Sequence, residues 1–320
     1  MTHTIVSLRS VEGIGDAFDS VRLRTVPKKR YSDRELVEIS SGADGLFVHS
    51  ENEYAEHLFE KTPGLRVIGR PGSGLDNIDL NAASAHDVAV VYTPGMNAVA
   101  VAEFVVGVLI SHIRSTCSAE THVRTGGWRS PEWWGTELRG KTVGIVGLGA
   151  AGYETAKRLR PFEISLLVAD PYVDPEKVDA VGATLMNVEE LVAESDVVSL
   201  HVRLTDETRH LIDRRSFERM KSDAVLVNTA RGNVVDHDAL VDALRNDEIG
   251  GAVLDVFPSE PPDSNSPLFE LPSVTVTPHL AGATVETRIA MLETTARNVV
   301  SVLDGESIDP RYLANPAVFD

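Results

Sequence analysis

The sequence predicts an α/β protein of two parallel-sheet domains, the second inserted into the first. Three observations predict it. Short apolar runs alternate with helix-like segments along most of the chain, the pattern of strands joined by crossover helices. That alternation stops in a segment rich in glycine and tryptophan, residues 126–140, and starts afresh at Lys141. A length of 320 residues is enough for two domains, each burying a core of its own.

In the first part, strands are expected at 4–8, 21–25, 45–49, 65–69 and 88–92, with helices at 32–41, 52–61 and 75–86. Ser32 followed by Glu35 is a capping box for the first helix. Pro94-Gly95 then breaks the chain. A long helix is expected from about Asn97 to His122, because Val101, Phe104, Val105, Val108 and Leu109 recur at helical spacing. Trp128, Trp133 and Trp134 mark 126–140 as an exposed, structured loop with aromatic anchors or subunit contacts. The second series has strands at 142–146, 165–169, 197–202, 224–228, 252–256 and 274–277, and helices at 151–159, 187–193 and 237–246. Six strands with right-handed crossovers make one parallel sheet. A last helix, about 284–303, follows. The boundaries are drawn at 1–96 with 288–320 for one domain and 97–287 for the other.

Composition narrows the function classes. The net charge of −18 disfavours nucleic-acid phosphate and anionic membranes as partners. The most apolar stretch, 99–110, is interrupted by Glu103 and too short to span a bilayer. With no signal-peptide run near Met1 and a lone cysteine, Cys117, a cytoplasmic location is expected. The histidines do not cluster with cysteine or carboxylates, so no metal is expected. The bias to 23 Arg over 7 Lys fits a salt-rich cytoplasm or a GC-rich genome equally.

The run from Val143 to Gly152 reads as a strand, then GxGxxG, then a helix. Gly147 makes the tight turn, Gly149 lets a pyrophosphate approach backbone N–H groups, and Gly152 allows close helix packing. The pyrophosphate would sit at the helix N-terminus. Asp170 ends the next strand, 23 residues beyond Gly147, where a carboxylate accepts from the adenosine ribose and repels a 2′-phosphate. NAD is the expected cofactor.

The chain resembles the D-isomer-specific 2-hydroxyacid dehydrogenase family, most closely its 3-phosphoglycerate dehydrogenase branch. The resemblance rests on blocks in order: Gly69 to Asn77 (GRPGSGLDN), Thr93 to Asn97 (TPGMN), the glycine fingerprint, Asn228 to Gly232 (NTARG), Leu254 to Phe257 (LDVF), Ser259-Glu260-Pro261, and Thr277 to Thr284 (TPHLAGAT). It implies a Rossmann-like NAD domain inserted into a flavodoxin-like substrate domain. It also implies a catalytic set of Arg231, Glu260 and His279. His279 would be the acid/base, Glu260 would orient its imidazole, and Arg231 would grip the substrate carboxylate and polarise the C2 oxygen. Arg70, Ser73 and Gly74 would join Arg231 in holding the substrate. Ala150, Ala151, Thr229, Ala230, Asp255 and Gly282 would line the cofactor with Gly147, Gly149, Gly152 and Asp170, Asp255 reaching the nicotinamide carboxamide. Singly, His279, Glu260 and Arg231 also read as ordinary surface or turn residues. Their joint placement at strand ends, where ligands collect in open sheets, favours catalysis. A homodimer through the helix after Asn97 and the tryptophan loop is implied too.

Three departures bear on the substrate. His49 stands where phosphoglycerate enzymes of the family carry arginine, and Ser130 stands where a basic residue is common. Both weaken the case for a phosphorylated substrate. Arg203 replaces a usual proline, with no account from sequence. A chain ending at Asp320 is expected to lack a C-terminal regulatory domain. The expected function is reversible hydride transfer between NAD and C2 of a small 2-hydroxy or 2-keto acid, 3-phosphoglycerate among them. Hydroxypyruvate or glyoxylate reduction is the alternative, and an NAD-sensing corepressor-like protein is the alternative of another class.

Overall fold

A computed structural model describes residues 2–12, 14, 16–28 and 30–319. Two units emerge: Met1–Asn97 with Thr284–Asp320, and Ala98–Ala283.

In the first unit five short apolar runs become β1 (Thr4–Ser7), β2 (Arg22–Thr25), β3 (Gly45–Phe47), β4 (Val67–Arg70) and β5 (Ala89–Tyr92). They pair in parallel in the order β2-β1-β3-β4-β5, the flavodoxin-like order. β3 is buried along its whole length, as a strand covered on both faces must be. One face meets α1 (Asp33–Ser40), α2 (Glu56–Lys61) and α3 (Leu80–Ala85) around Tyr54, Leu58 and Ala83. The expected capping box forms, with Ser32 Oγ accepting from the Glu35 N–H and the Glu35 carboxylate from the Ser32 N–H. α2 and α3 begin later than the sequence suggested. The Asn77 amide donates to the carbonyls of His49 and Asn52, tying 75–78 into a loop, and the Asp79 side chain caps α3 at Ala82.

The second unit opens with α4 (Ala98–Ile113) and α5 (Thr116–Arg124). One long helix was expected there. Ser115 instead adopts a left-handed backbone, φ 50°, and the two helices meet at 60°. The break follows from burial: α4 carries a buried apolar stripe, whereas α5 buries no residue. The sheet then builds through β6 (Thr142–Val146), α6 (Ala150–Leu159), β7 (Ser165–Ala169), α7 (Pro175–Val181), β8 (Thr184–Leu185), α8 (Val188–Glu194), β9 (Val197–Leu200), α9 (Arg214–Arg219), β10 (Val225–Asn228), α10 (His237–Arg245), β11 (Gly251–Leu254) and β12 (Val274–Val276). All strands are parallel, in the order β12-β11-β10-β9-β6-β7-β8. Seven strands rather than six make the sheet. The addition, β8, is a two-residue edge strand too short to show a periodicity. Strand order reverses between β6 and β9, the switch point where open α/β sheets take ligands.

α11 (Val285–Asp304) returns to the first unit and covers the other face of its sheet, packing Leu292, Ala296 and Val299 with Phe47, Val67 and Val91. Gly69 permits this, since a Cβ there would lie 2.4 Å from Val299 Cγ2. Among the described residues no single helix is long and apolar enough to cross a membrane.

Candidate active site

Three loops at the carboxyl edge of the seven-stranded sheet carry the expected catalytic residues. The loop after β10 holds Arg231. Asn228 shapes it, accepting from the Ala230 N–H and donating to the Arg231 carbonyl, and the guanidinium is tied back by Nη1 to the Ala230 carbonyl at 2.7 Å. Gly232 lets this loop lie against the next one, because a Cβ there would fall 2.0 Å from the Phe257 carbonyl carbon. That next loop, after β11, holds Glu260, whose Oε1 accepts from the Phe257 N–H.

The loop after β12 holds His279, at φ 55°. Its shape is fixed by Asp255, a carboxylate with no solvent exposure. Asp255 Oδ1 accepts from Thr277 Oγ1 at 2.6 Å and the Leu280 N–H at 2.8 Å, and Oδ2 from the Ala281 N–H at 2.8 Å. Asp255 was expected at the nicotinamide. In the structure its bonds tie the histidine loop to β11, a positioning role that motif reading missed; its complete burial is the signal that reveals it.

His279 Nδ1 and Glu260 Oε2 are 2.7 Å apart. Burial works to raise the Glu260 carboxyl, but the hydrogen bond and charge of His279, the Phe257 N–H and the Arg231 charge outweigh it and hold the group below its ordinary value. Glu260 is therefore ionised at neutral pH and engages Nδ1, which leaves Nε2 as the nitrogen for proton exchange. The imidazole is about half exposed. Arg231, Glu260 and His279 all belong to one unit.

The glycine fingerprint forms as expected. Gly147 has φ 90° and sits against His201 and Val202, where a Cβ would come within 3.0 Å. Above Gly149 the space is open, and Gly149 and Ala150 are exposed. Gly152 meets the Gly147 carbonyl so closely that a Cβ would be 2.1 Å away. No side chain caps α6, so its first N–H groups remain for an anion. Asp170 Oδ2 accepts from the Leu148 N–H and Oδ1 from the Tyr172 N–H, which fixes the carboxylate beside the turn. Thr229 Oγ1 is buried without a hydrogen-bond partner among the described residues. An open glycine turn, an uncapped helix, an oriented carboxylate and an unmatched buried hydroxyl fit a dinucleotide. Ala151 and Gly282 are half-buried and Ala230 is buried beside these loops.

The substrate-holding residues expected at Arg70, Ser73 and Gly74 lie in the other unit, at and beyond the end of β4. Ser73 Oγ donates to the Thr93 carbonyl and to Asn97, and accepts from the Gly95 N–H. The hydroxyl is spent on shaping the loop. The backbone N–H groups of Ser73 and Gly74 have no partner among the described residues and are half-buried, as a carboxylate clamp requires. His49 is buried and engaged within the chain, with Nδ1 2.6 Å from Glu51 and Nε2 3.1 Å from the Lys28 carbonyl.

A doubly wound sheet with a glycine turn at its switch point, and an Arg, Glu and His gathered at its carboxyl edge, defines a nucleotide-dependent oxidoreductase scaffold. Comparisons with known proteins narrow the class. The model of the D-isomer specific 2-hydroxyacid dehydrogenase NAD binding domain matches residues 106–281. A glyoxylate reductase of Thermofilum pendens is 41% identical over 298 residues, covering 90% of this chain and 86% of the relative. A D-3-phosphoglycerate dehydrogenase of Archaeoglobus fulgidus is 36% identical over 293 residues, covering 91% of this chain and 56% of the relative. The chain thus spans about half the length of the phosphoglycerate dehydrogenases it matches. The solved TT0316 protein of Thermus thermophilus superposes with TM-score 0.89 at 32% identity, covering 97% of this chain and 99% of that one. The chain belongs to the D-isomer specific 2-hydroxyacid dehydrogenase family.

Proposed function

We propose that the protein catalyses reversible, NAD-linked hydride transfer at C2 of a small 2-hydroxy or 2-keto acid. The observation that carries this reading is the 2.7 Å pair of His279 and Glu260, seated beside Arg231 by the buried Asp255. NAD, when bound, accepts or supplies the hydride. His279 Nε2 takes the hydroxyl proton as the alcohol is oxidised and returns it to the carbonyl oxygen in reduction. Glu260, engaging Nδ1, keeps the ring oriented with Nε2 free. The Arg231 guanidinium neutralises the carboxylate and the charge developing on the C2 oxygen. The Ser73 and Gly74 N–H groups hold the carboxylate. The open turn at Gly147 and Gly149 with Ala150, Ala151 and Gly152 receives the pyrophosphate, and Asp170 receives the adenosine ribose. Thr229, Ala230 and Gly282 line the rest of the dinucleotide site.

The coverage of the Thermofilum glyoxylate reductase supports hydroxypyruvate or glyoxylate reduction as the second reading. Consumption of NADH with hydroxypyruvate, glyoxylate, pyruvate and 2-oxoglutarate tests both. Turnover of at least one is expected; silence with all four and with 3-phosphohydroxypyruvate overturns the dehydrogenase reading and favours an NAD-sensing, corepressor-like role. A cytoplasmic homodimer completes the proposal. The unburied α5 and the exposed Val123, Trp128 and Trp134 support a subunit contact, which light scattering would register as a doubled mass.

A further inference from the structure

The carboxyl edge of the seven-stranded sheet carries a contact that the hydride transfer does not use. β7 and β9 lie on either side of β6, so the loops that follow them flank the glycine turn and the start of α6. Backbone bonds tie the three together at their base. The Gly147 N–H donates to the Ala169 carbonyl at the end of β7, and the His201 N–H donates to the Val146 carbonyl at the end of β6. Asp170 Oδ2 adds a third tie by accepting from the Leu148 N–H. The spacing of neighbouring strands sets the two outer loops about 10 Å apart across the turn. Their outer ends meet all the same. Tyr172 Oη donates to Glu207 Oε2 at 2.9 Å, from one loop to the other.

Each partner is delivered by its own loop. The Tyr172 N–H donates to Asp170 Oδ1 at 3.0 Å, so the carboxylate proposed for the ribose also sets the direction in which the chain leaves β7. Glu207 rides on a compact turn. The Thr205 N–H donates to Thr208 Oγ1, the Thr208 hydroxyl donates to the Arg203 carbonyl, and the Arg209 N–H donates to the Thr205 carbonyl. The turn thus uses the backbone carbonyl of Arg203, which a proline at that position would offer equally. The Tyr172 side chain is 81% exposed, more than Trp128 or Trp134, so the fold does not pack this ring for its own stability. The hydrogen bond and charge of Glu207 hold the Tyr172 hydroxyl above its ordinary value, and desolvation and the charge of Asp170 act the same way. Tyr172 therefore stays a donor through the neutral range.

We propose that Tyr172 and Glu207 form a strap across the adenosine end of the dinucleotide site, which parts to let the cofactor in or out and re-forms once it is seated. The proposal rests on the cofactor placement proposed above and adds to it a control on exchange. Tyr172 and Glu207 touch no reacting atom and are positioning residues. The unpacked ring of Tyr172 supplies an aromatic face for the adenine, while its hydroxyl sets how often the strap is open. The bond exists before the cofactor binds and again afterwards. It therefore slows entry and exit by the same fraction of open strap and leaves the affinity nearly unchanged.

Stopped-flow fluorescence of NADH binding, and of its displacement by excess NAD, tests the strap. Tyr172→Phe keeps the ring and removes the hydroxyl. Both rate constants should rise about three- to tenfold in that variant, the worth of one exposed hydrogen bond to a charged group, with the Kd for NADH within about twofold of the unmodified protein. Tyr172→Ala, which removes the ring as well, should weaken NADH about tenfold. In a Glu207→Ala background Tyr172→Phe should change neither rate further, because the bond is already gone. Rates unchanged in Tyr172→Phe, or an equal effect of that change with and without Glu207, overturn the strap and leave the cofactor reading standing. Tighter NADH binding in Tyr172→Phe overturns it too, since the bond would then occupy the site rather than cross it. No NADH binding to the unmodified protein overturns the cofactor reading and the strap together.

Discussion

The carboxyl edges of the two sheets treat charge in opposite ways. At the seven-stranded edge the carboxylates have partners within the chain: Asp255 takes three donors, Asp170 takes two, and Glu260 takes His279 and the Phe257 N–H. At the five-stranded edge Arg9 and Arg288 meet cations instead, and the Ser73 and Gly74 N–H groups have no partner among the described residues. The first edge is set before any ligand arrives, so little reorganisation remains for the chemical step. In the proposed function the second is completed by the substrate carboxylate. The proposed function places the chemistry at the first edge and the hold on the substrate carboxylate at the second.

If the first edge is preorganised by internal partners, removing its buried anchor should do the most damage. Asp255→Ala leaves the Leu280 and Ala281 N–H groups without their acceptor and frees the His279 loop from β11. A loss of about 3 kcal/mol in chemical denaturation is expected, with turnover down about a hundredfold. Retained stability and turnover would mean the edge is not held this way.

A smaller effect is expected at the switch point. Burial brings the His201 imidazole down to about 4 from its ordinary 6.5. The unfolded chain takes up a proton as pH falls through 6.5, whereas the folded protein resists until about 4. The stabilisation is complete above 6.5 and lost progressively towards 4, by about 2 kcal/mol at pH 5. His201→Gln should flatten melting temperature between pH 7 and 5, and an unaltered slope would assign the acid sensitivity elsewhere. Smallest is Asp170→Ala, which should raise the KM for NAD about tenfold and narrow the selectivity against NADP, with kcat little altered. Unchanged selectivity would remove Asp170 from the ribose site.

The first edge was largely legible in the sequence because each of its loops is a short motif following a strongly apolar strand. Arg231, Glu260 and His279 could be named from those loops, and the structure brings the last two into contact although 19 residues separate them. The anchoring role of Asp255 was not legible, since a carboxylate after a strand looks the same whether it faces ligand or protein. The second edge was harder still. Arg9 and Arg288 lie 279 positions apart on elements with no shared motif, and only the antiparallel course of α11 brings them to one edge. The break at Ser115 was hidden for a related reason: helical periodicity runs through it, while the loss of burial beyond it is a tertiary property. β8 is simply too short to announce itself.

The central claim is that His279 exchanges the substrate proton on a scaffold that binds NAD independently of it. Single-turnover oxidation of bound NADH by hydroxypyruvate in His279→Gln, with NADH affinity measured by fluorescence in the same variant, tests this most directly. The account predicts a rate at least about a thousandfold lower with NADH affinity within about twofold of the unmodified protein. A rate within tenfold of the unmodified protein, at equal NADH affinity, would contradict it.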